Sequence, residues 1–150
     1  MYTEINDFLY VGSANSVKFA HDFDLIVNCT TDIREPKQYE NQFIRLPMRD
    51  DPDCVDDAMS LLTHTNVLSI IHETIKNNKR VLVHCYAGEQ RSCAVVACYL
   101  IRYNHMTPDD AVAYIQERHI DAFSGGVNLQ KLLVNVLVAT AQFRRASDLN

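Results

Sequence analysis

Short apolar runs alternate along the chain with longer segments in which apolar residues recur every three or four positions. The short runs, several of them rich in β-branched residues, predict buried strands. The periodic segments predict helices that pack one face against a core. The predicted strands span residues 8–11, 24–29, 42–48 and 80–84. The predicted helices span residues 13–23, 58–78, 92–103, 107–119 and 129–143.

Two of the helix starts carry additional signals. Thr107 is followed by Pro108, Asp109 and Asp110, which supply a cap, a proline at the first helical position and acidic residues in the first turn. Ser13 is predicted to cap the first helix. Strands that alternate with helices predict an α/β fold, in which helices flank a central, mainly parallel sheet of about four to five strands.

The chain has 150 residues and no internal repeat or linker rich in proline and glycine, so a single domain over residues 1–150 is predicted. Hydrophobic residues make up 47% of the chain and charged residues 22%, which excludes a disordered protein. The net charge of −5 argues against nucleic acid and anionic membranes as partners. The longest uncharged apolar stretch, residues 132–143, is shorter than the about 20 residues of a membrane-spanning helix.

The cysteines form no CxxC pair and show no zinc-like spacing with histidine, and their number is odd. This pattern favours free thiols in a reducing compartment such as the cytoplasm. Because no metal-ligand spacing is present, we expect no metal, and no other cofactor is expected. The five cysteines are Cys29, Cys54, Cys85, Cys93 and Cys98.

The strongest chemical signal lies at the end of the predicted strand 80–84. Cys85 follows this strand directly, a short loop with Gly88 comes next, and Arg91 and Ser92 begin a helix. Open α/β sheets bind ligands at the carboxyl ends of their strands. The free amides of such a loop and helix N-terminus bind oxyanions and stabilise a thiolate. A core cysteine beside a surface arginine is the simpler interpretation, but it leaves the combination of features unexplained.

Each residue of this loop has an expected role. Arg91 carries a planar guanidinium that can bind two phosphate oxygens at once. Gly88 allows a positive φ or a close approach of the backbone to the ligand. Ser92 can donate a hydrogen bond to the sulfur, and His84 is expected to hold the loop through hydrogen bonds. The other residues expected to contact the phosphate are Tyr86, Ala87, Glu89 and Gln90.

The order His-Cys, five residues, Arg, Ser resembles the signature of the cysteine-dependent protein tyrosine phosphatases. From about residue 8 to residue 133 the chain resembles the dual-specificity phosphatases of that superfamily, in their compact atypical or viral form. The segments that carry the resemblance are residues 8–14, 26–30, 46–51, 84–92, 98–101 and 110–118.

This resemblance implies metal-free hydrolysis of phosphate monoesters through a phosphocysteine on Cys85. Arg91 and the loop amides would hold the phosphoryl oxygens. An aspartate would protonate the leaving group and then activate water, and Asp50 matches this position, with Asp51 as the alternative. The chain lacks an insert that would build a deep cleft for phosphotyrosine alone, so both phosphotyrosine and phosphoserine/threonine are expected substrates.

Several positions depart from the family pattern or leave a choice open. Glu89 adds a negative charge at the rim, which should disfavour highly anionic ligands. Residues 124–128 replace the Asn-x-x-Phe stretch of the family, so a supporting hydrogen bond to the loop is either missing or rerouted. Cys29 or Cys54 is a candidate partner for a redox disulfide with Cys85, and packing is the simpler role for both.

Other functions compete with protein dephosphorylation. The same loop could act on RNA 5′-phosphates or phosphoinositides, but relatives with those substrates carry extra basic residues or histidines where this chain has Tyr86, Ala87 and Glu89. A non-catalytic phosphoprotein-binding module would have lost Cys85 or Arg91. Phosphorylated proteins are therefore the predicted partners, and the sequence leaves monomer and homodimer open.

Overall fold

Five strands form one sheet in the computed structural model, which describes residues 2–148 and the side chains of residues 2–146. The strands are β1 (Tyr2–Asn6), β2 (Leu9–Gly12), β3 (Leu25–Asn28), β4 (Phe43–Arg45) and β5 (Val81–His84). Their order across the sheet is β1-β2-β5-β3-β4. Only the pair of β1 and β2 is antiparallel, so the predicted, mainly parallel sheet is confirmed.

Helices cover one face of this sheet, and the most buried of them follows β5. They are α1 (Val55–Thr65), α2 (Val67–Lys76), α3 (Arg91–Tyr103), α4 (Pro108–Arg118) and α5 (Gln130–Asp148). Every residue of α3 from Ser92 to Ile101 is buried, because α3 packs against the sheet and against α2, α4 and α5. The start of α3 is therefore held rigidly next to the end of β5.

A smaller apolar cluster covers the opposite face of the sheet. The buried members of this cluster are Ala20, Phe23, Ile26 and Leu82. As a result all four residues of β5 are buried, as expected for a parallel strand at the centre of an α/β sheet. Within residues 2–148, no helix combines the length and the apolar composition that crossing a bilayer requires.

The helix boundaries differ from the predicted ones at two places. The helix predicted over residues 58–78 is two helices, because Asn66 lies in the left-handed region at φ +55° and separates α1 from α2. Asparagine tolerates this conformation better than most residues. The segment predicted as a helix from Ser13 is a 3₁₀ helix, Ala14–Asp22, and the Ser13 side chain makes no capping hydrogen bond. Thr107 does cap α4, since its Oγ1 accepts from the Asp110 amide at 3.1 Å.

The strand predictions were wrong at the two edges of the sheet. Strand β1 was missed because Ile5 is its only buried residue, so the segment lacks an apolar pattern. Strand β4 is shorter than the predicted 42–48, because the chain leaves the sheet after Arg45. The amides of Leu46 and Met48 then bond to the carbonyls of Asn28 and Cys29, which leads the following acidic loop to the carboxyl end of the sheet.

Candidate active site

Cys85 lies at the carboxyl end of the central strand, between the ends of its two neighbours. Its amide donates to the Gly12 carbonyl at the end of β2, at 3.3 Å. The Cys29 amide, just past β3, donates to the His84 carbonyl at 2.9 Å. The loop that follows is tied to β2 as well, because the Ala14 amide donates to the Tyr86 carbonyl. These backbone bonds fix the base of the loop on both sides.

Hydrogen-bond donors converge on the Cys85 sulfur, which belongs to a side chain only 2% exposed. The Gly88 amide donates to Sγ at 3.3 Å, and the Ser92 hydroxyl lies 3.2 Å from it. Helix α3 begins at Arg91, so its N-terminal end lies at the same loop. Amide donors and a helix N-terminus both create a positive electrostatic potential, which suits a site for the anionic oxygens of a phosphate. The predicted role of Ser92 toward the sulfur is consistent with this geometry, whereas the bond from the Gly88 amide was not predicted.

Gly88 is required by the shape of the loop. Its φ is +76°, and a Cβ placed there would lie 2.9 Å from the Gly12 carbonyl carbon and 3.0 Å from the Ser13 amide nitrogen. Both contacts are with backbone, which cannot rotate away. The loop can therefore turn against β2 only when residue 88 has no side chain.

Replacing Gly88 with alanine should damage both stability and activity. Left-handed backbone costs about 1–2 kcal/mol in a residue with a Cβ, and the clash with Gly12 would move the amide that donates to Cys85. Displacement of about 1 Å in a catalytic constellation can cost about 10²-fold in rate. We expect Gly88→Ala to lower kcat/KM on 4-nitrophenyl phosphate about 10²-fold, measured together with the melting temperature.

Gly125→Ala is the matched control for this prediction. Gly125 has a similar φ of +79°, but a Cβ there meets nothing within 4 Å. This variant should melt a few degrees lower and keep kcat/KM within about twofold. If Gly88→Ala retained the activity of the Gly125 variant, the close approach to Gly12 would have no part in shaping the site.

A depression of about 140 Å³ opens above the sulfur. Pockets that bury whole small molecules span about 300–1,000 Å³, so this one can enclose little more than a phosphoryl group. The Arg91 guanidinium is held at its edge by a hydrogen bond from Nη1 to the Met48 carbonyl at 3.3 Å. The residues that line it are Asp50, Cys85, Tyr86, Ala87, Glu89, Gln90 and Arg91.

The two candidate acids have different environments. Asp50 lines the depression together with Cys85 and Arg91. Asp51 does not line it, and its Oδ1 accepts from the Asp53 amide at 2.9 Å, where it caps the 3₁₀ helix Pro52–Cys54. The geometry therefore favours Asp50 as the group that can reach a bound phosphate ester.

Comparison with known proteins decides the family. The family model for the dual specificity phosphatase catalytic domain matches residues 9–137. The 123R protein of Invertebrate iridescent virus 6, named as a tyrosine phosphatase, is 30% identical over 146 residues, which cover 95% of this chain and 92% of the viral protein. The chain belongs to the dual-specificity phosphatases. It is thus a cysteine-dependent protein phosphatase of a family that forms a phosphocysteine, as predicted from the sequence.

Two further likenesses concern the fold of this phosphatase and one part of its sequence. The crystal structure of human DUSP28 shares its fold with a TM-score of 0.81 at 20% identity, covering 93% of this chain and 95% of that one. An Arabidopsis thaliana protein named phosphatidylglycerophosphate phosphatase PTPMT2 is 35% identical over 78 residues, which cover 52% of this chain and 32% of the plant protein. The second likeness is confined to part of each chain.

The loop from Cys85 to Arg91, here called the phosphatase loop, is also held by hydrogen bonds to the segment that follows α4. The His119 Nε2 lies 2.8 Å from the Gly88 carbonyl oxygen, and its Nδ1 lies 3.1 Å from the Thr3 hydroxyl on β1. With the proton on Nε2, the ring donates to the loop and accepts from Thr3. The Phe123 amide donates to the Glu89 carbonyl at 2.7 Å. This contact of His119 could not be predicted from the sequence, because no spacing rule links His119 to Gly88.

The predicted supporting hydrogen bond is rerouted through Gln90, whose side chain is 8% exposed. Its Nε2 donates to the carbonyls of Ser124 and Gly126 at 3.1 and 2.6 Å. Its Oε1 accepts from the Asn128 amide at 3.1 Å. Gln90 thus ties the loop to the segment that departs from the family pattern, and its side chain serves this contact as well as lining the depression.

His84 is fully buried beneath the phosphatase loop. Burial lowers the pKa of its imidazole, so the ring is neutral near pH 7. Its Nδ1 lies 3.4 Å from the Cys85 carbonyl oxygen, and among the described residues its Nε2 has no hydrogen-bond partner. The expected support of the loop by His84 is thus limited to one long contact.

The other cysteines have environments unlike that of Cys85. Burial raises the pKa of the Cys29 and Cys93 thiols, and it raises that of Cys98 to about 12, so these groups stay protonated at neutral pH. Asn28 pairs with His84 in the sheet, and Cys29 and Cys85 are the residues that directly follow them. The two cysteines are therefore neighbours. All five cysteines are free thiols, and a redox disulfide to Cys85 stays a prediction.

In the described part of the chain, no three His, Cys, Asp or Glu side chains cluster closely enough to hold a metal ion.

Proposed function

We propose that this phosphatase removes phosphate from phosphotyrosine, phosphoserine and phosphothreonine in proteins, with Cys85 as nucleophile and Asp50 as general acid. The observation that carries this proposal is the shared depression of about 140 Å³, which brings Cys85, Arg91 and Asp50 around a space for one phosphoryl group. Family membership supplies the reaction class, and this geometry supports the roles proposed for the three residues.

In the first step the Cys85 thiolate attacks phosphorus. The new S–P bond forms as the P–O bond to the substrate breaks, and Asp50 donates its proton to the departing oxygen. The Arg91 guanidinium and the amides at the start of α3 hold the non-bridging oxygens as their charge rearranges. The products of this step are the free hydroxyl side chain, a phosphocysteine and the Asp50 carboxylate.

In the second step water attacks the phosphocysteine. The Asp50 carboxylate takes a proton from this water, the new P–O bond forms, and the S–P bond breaks. The electron pair returns to sulfur, where the Ser92 hydroxyl at 3.2 Å and the Gly88 amide at 3.3 Å stabilise the leaving thiolate. Inorganic phosphate is released and the enzyme returns to its starting state.

The dual substrate range rests on how little of the substrate the site encloses. The depression is too small to bury an aromatic ring together with its phosphate, so a side chain of either length can bring its phosphate to Cys85. Tyr86 is 64% exposed at the rim, where it can contact the chain of a protein substrate. Because the reaction needs a reduced Cys85, a reducing compartment such as the cytoplasm suits the protein.

A phospholipid monoester is the second candidate substrate. It is favoured by the partial likeness to the plant protein named as a phosphatidylglycerophosphate phosphatase. Glu89 lines the depression and argues against a phospholipid substrate, since its negative charge disfavours a substrate with anionic groups beyond the reacting phosphate. For this reason phosphoproteins are the preferred proposal.

A panel of substrates tests whether the enzyme prefers phosphoproteins to RNA or phospholipids. Peptides of one sequence with phosphotyrosine, phosphoserine or phosphothreonine would be compared with 5′-triphosphate RNA and with phosphatidylinositol phosphates and phosphatidylglycerophosphate in vesicles. We expect phosphate release from all three peptides, with kcat/KM at least about tenfold above that for RNA or lipid. A lipid or RNA that exceeded every peptide would overturn the proposed substrate class, and no release from any of them or from 4-nitrophenyl phosphate would indicate a binding module.

A further inference from the structure

Asp50, the proposed acid, is held by a residue from a distant part of the chain. The Asn128 side-chain Nδ2 donates to the Asp50 Oδ1 at 3.0 Å. Asn128 stands immediately before the buried Leu129 at the start of α5, whereas Asp50 belongs to the loop before α1. This bond is thus a tertiary contact between two segments that lie 78 residues apart in the chain.

The position of Asn128 is itself fixed by the phosphatase loop. Its backbone amide donates to the Oε1 of Gln90, and Gln90 also holds the carbonyls of Ser124 and Gly126. Gln90 is buried and its three hydrogen bonds are partly buried, so together they orient the Asn128 backbone. A continuous chain of hydrogen bonds therefore runs from the residue before Arg91, through Asn128, to the acid.

We infer that Asn128 is a positioning residue for the general acid, an inference that rests on the proposed function. An Asn amide can bond one carboxyl oxygen of Asp50 and leave the other free to face the leaving group. The bond also restricts the rotamers of an exposed Asp50 side chain, which would otherwise lose entropy when it reaches the transition state. Because Asn128 is also bonded to Gln90, it keeps Asp50 at a fixed position relative to the loop that holds the phosphoryl group.

If Asn128 positions the acid, replacing Asn128 should lower kcat/KM by a factor that depends on the leaving group of the substrate. A phosphoserine peptide releases an alkoxide-like oxygen that needs the proton of the acid, whereas 4-nitrophenyl phosphate releases a stable phenolate. One hydrogen bond of this kind contributes about 0.5–1.5 kcal/mol, or about 2- to 10-fold in rate. Asn128→Ala should lower kcat/KM about 3- to 10-fold on the phosphoserine peptide and less than twofold on 4-nitrophenyl phosphate.

The double variant separates positioning from a general structural effect. In an Asp50→Asn background, Asn128→Ala should cause no further loss on the phosphoserine peptide, because the acid that it positions is gone. Asn128→Asp keeps the side-chain shape but loses the donor and adds a carboxylate against Asp50, so its loss should equal or exceed that of Asn128→Ala. Asn135→Ala, an asparagine on α5, is the matched control and should keep the rates on both substrates.

Melting temperatures of all variants would be recorded, and Asn128→Ala should melt within about 2 °C of the parent. Equal losses on both substrates, or additive losses in the double variant, would overturn the positioning role while the proposed reaction stood. No leaving-group dependence in Asp50→Asn would instead show that Asp50 is not the acid. Absence of turnover in the parent protein would contradict the proposed function itself.

Discussion

Cys85→Ser should lose hydrolysis completely while it still binds phosphate esters. A serine hydroxyl at this position is neutral and cannot replace the thiolate as nucleophile, and loss of a nucleophile costs an enzyme on the order of 10⁶-fold. The Gly88 amide, the Arg91 guanidinium and the N-terminus of α3 are unchanged, so the anion site remains. The measurements are 4-nitrophenyl phosphate turnover and the Kd of a phosphopeptide for the variant.

Cys54→Ser is the matched control for the nucleophile. Cys54 is half-buried at the end of the 3₁₀ helix Pro52–Cys54, and it does not line the depression. It should keep turnover within about twofold. Turnover above the uncatalysed rate in a pure Cys85→Ser preparation would contradict a phosphocysteine mechanism on this residue.

Asp50→Asn should slow the hydrolysis of phosphoserine peptides by about 10²–10⁴-fold, the usual contribution of a general acid. An amide has no proton to give to the departing serine oxygen. The loss on 4-nitrophenyl phosphate should be much smaller, because nitrophenolate leaves without protonation. The ratio of kcat/KM values for the two substrates, parent against variant, measures this difference.

Asp51→Asn is the matched control, because it removes one negative charge from the same loop as Asp50→Asn does. Asparagine is as good a helix cap as aspartate, so the bond from the Asp53 amide can persist and the fold should be unaffected. Its rates should stay within about twofold on both substrates. If Asp51→Asn showed the large loss and Asp50→Asn did not, the acid would be the neighbouring residue and the proposed positioning by Asn128 would fail with it.

Much of the chemistry could be predicted because it is local in sequence. Cys85, Gly88, Arg91 and Ser92 lie within one strand, one loop and one helix start, and the preferences of these elements orient their groups toward one point. The central strand could be predicted for a similar reason, since a run buried on both faces is apolar throughout.

Elements with weak local patterns escaped prediction. Strand β1 buries only Ile5, and it exists because β2 offers it an unpaired edge. The break between α1 and α2 at Asn66 is equally hard to see, because apolar residues keep a helical spacing on both sides of it. In both cases packing against the rest of the protein decides the conformation, and it overrides the local propensity.

From the sequence alone we predicted the reaction class and the α/β sheet, both of which are confirmed, and we proposed Cys85 as the nucleophile and Arg91 as the phosphate-binding residue. The choice of Asp50 over Asp51 as the proposed acid depends on tertiary contacts, since only folding shows that Asp51 caps a 3₁₀ helix while Asp50 lines the depression. The hydrogen bonds that join His119 to the loop and Asn128 to Asp50 are likewise visible only in the folded chain. Such contacts join side chains far apart in the chain, and their geometry is set by the packing of whole elements, which no local pattern encodes.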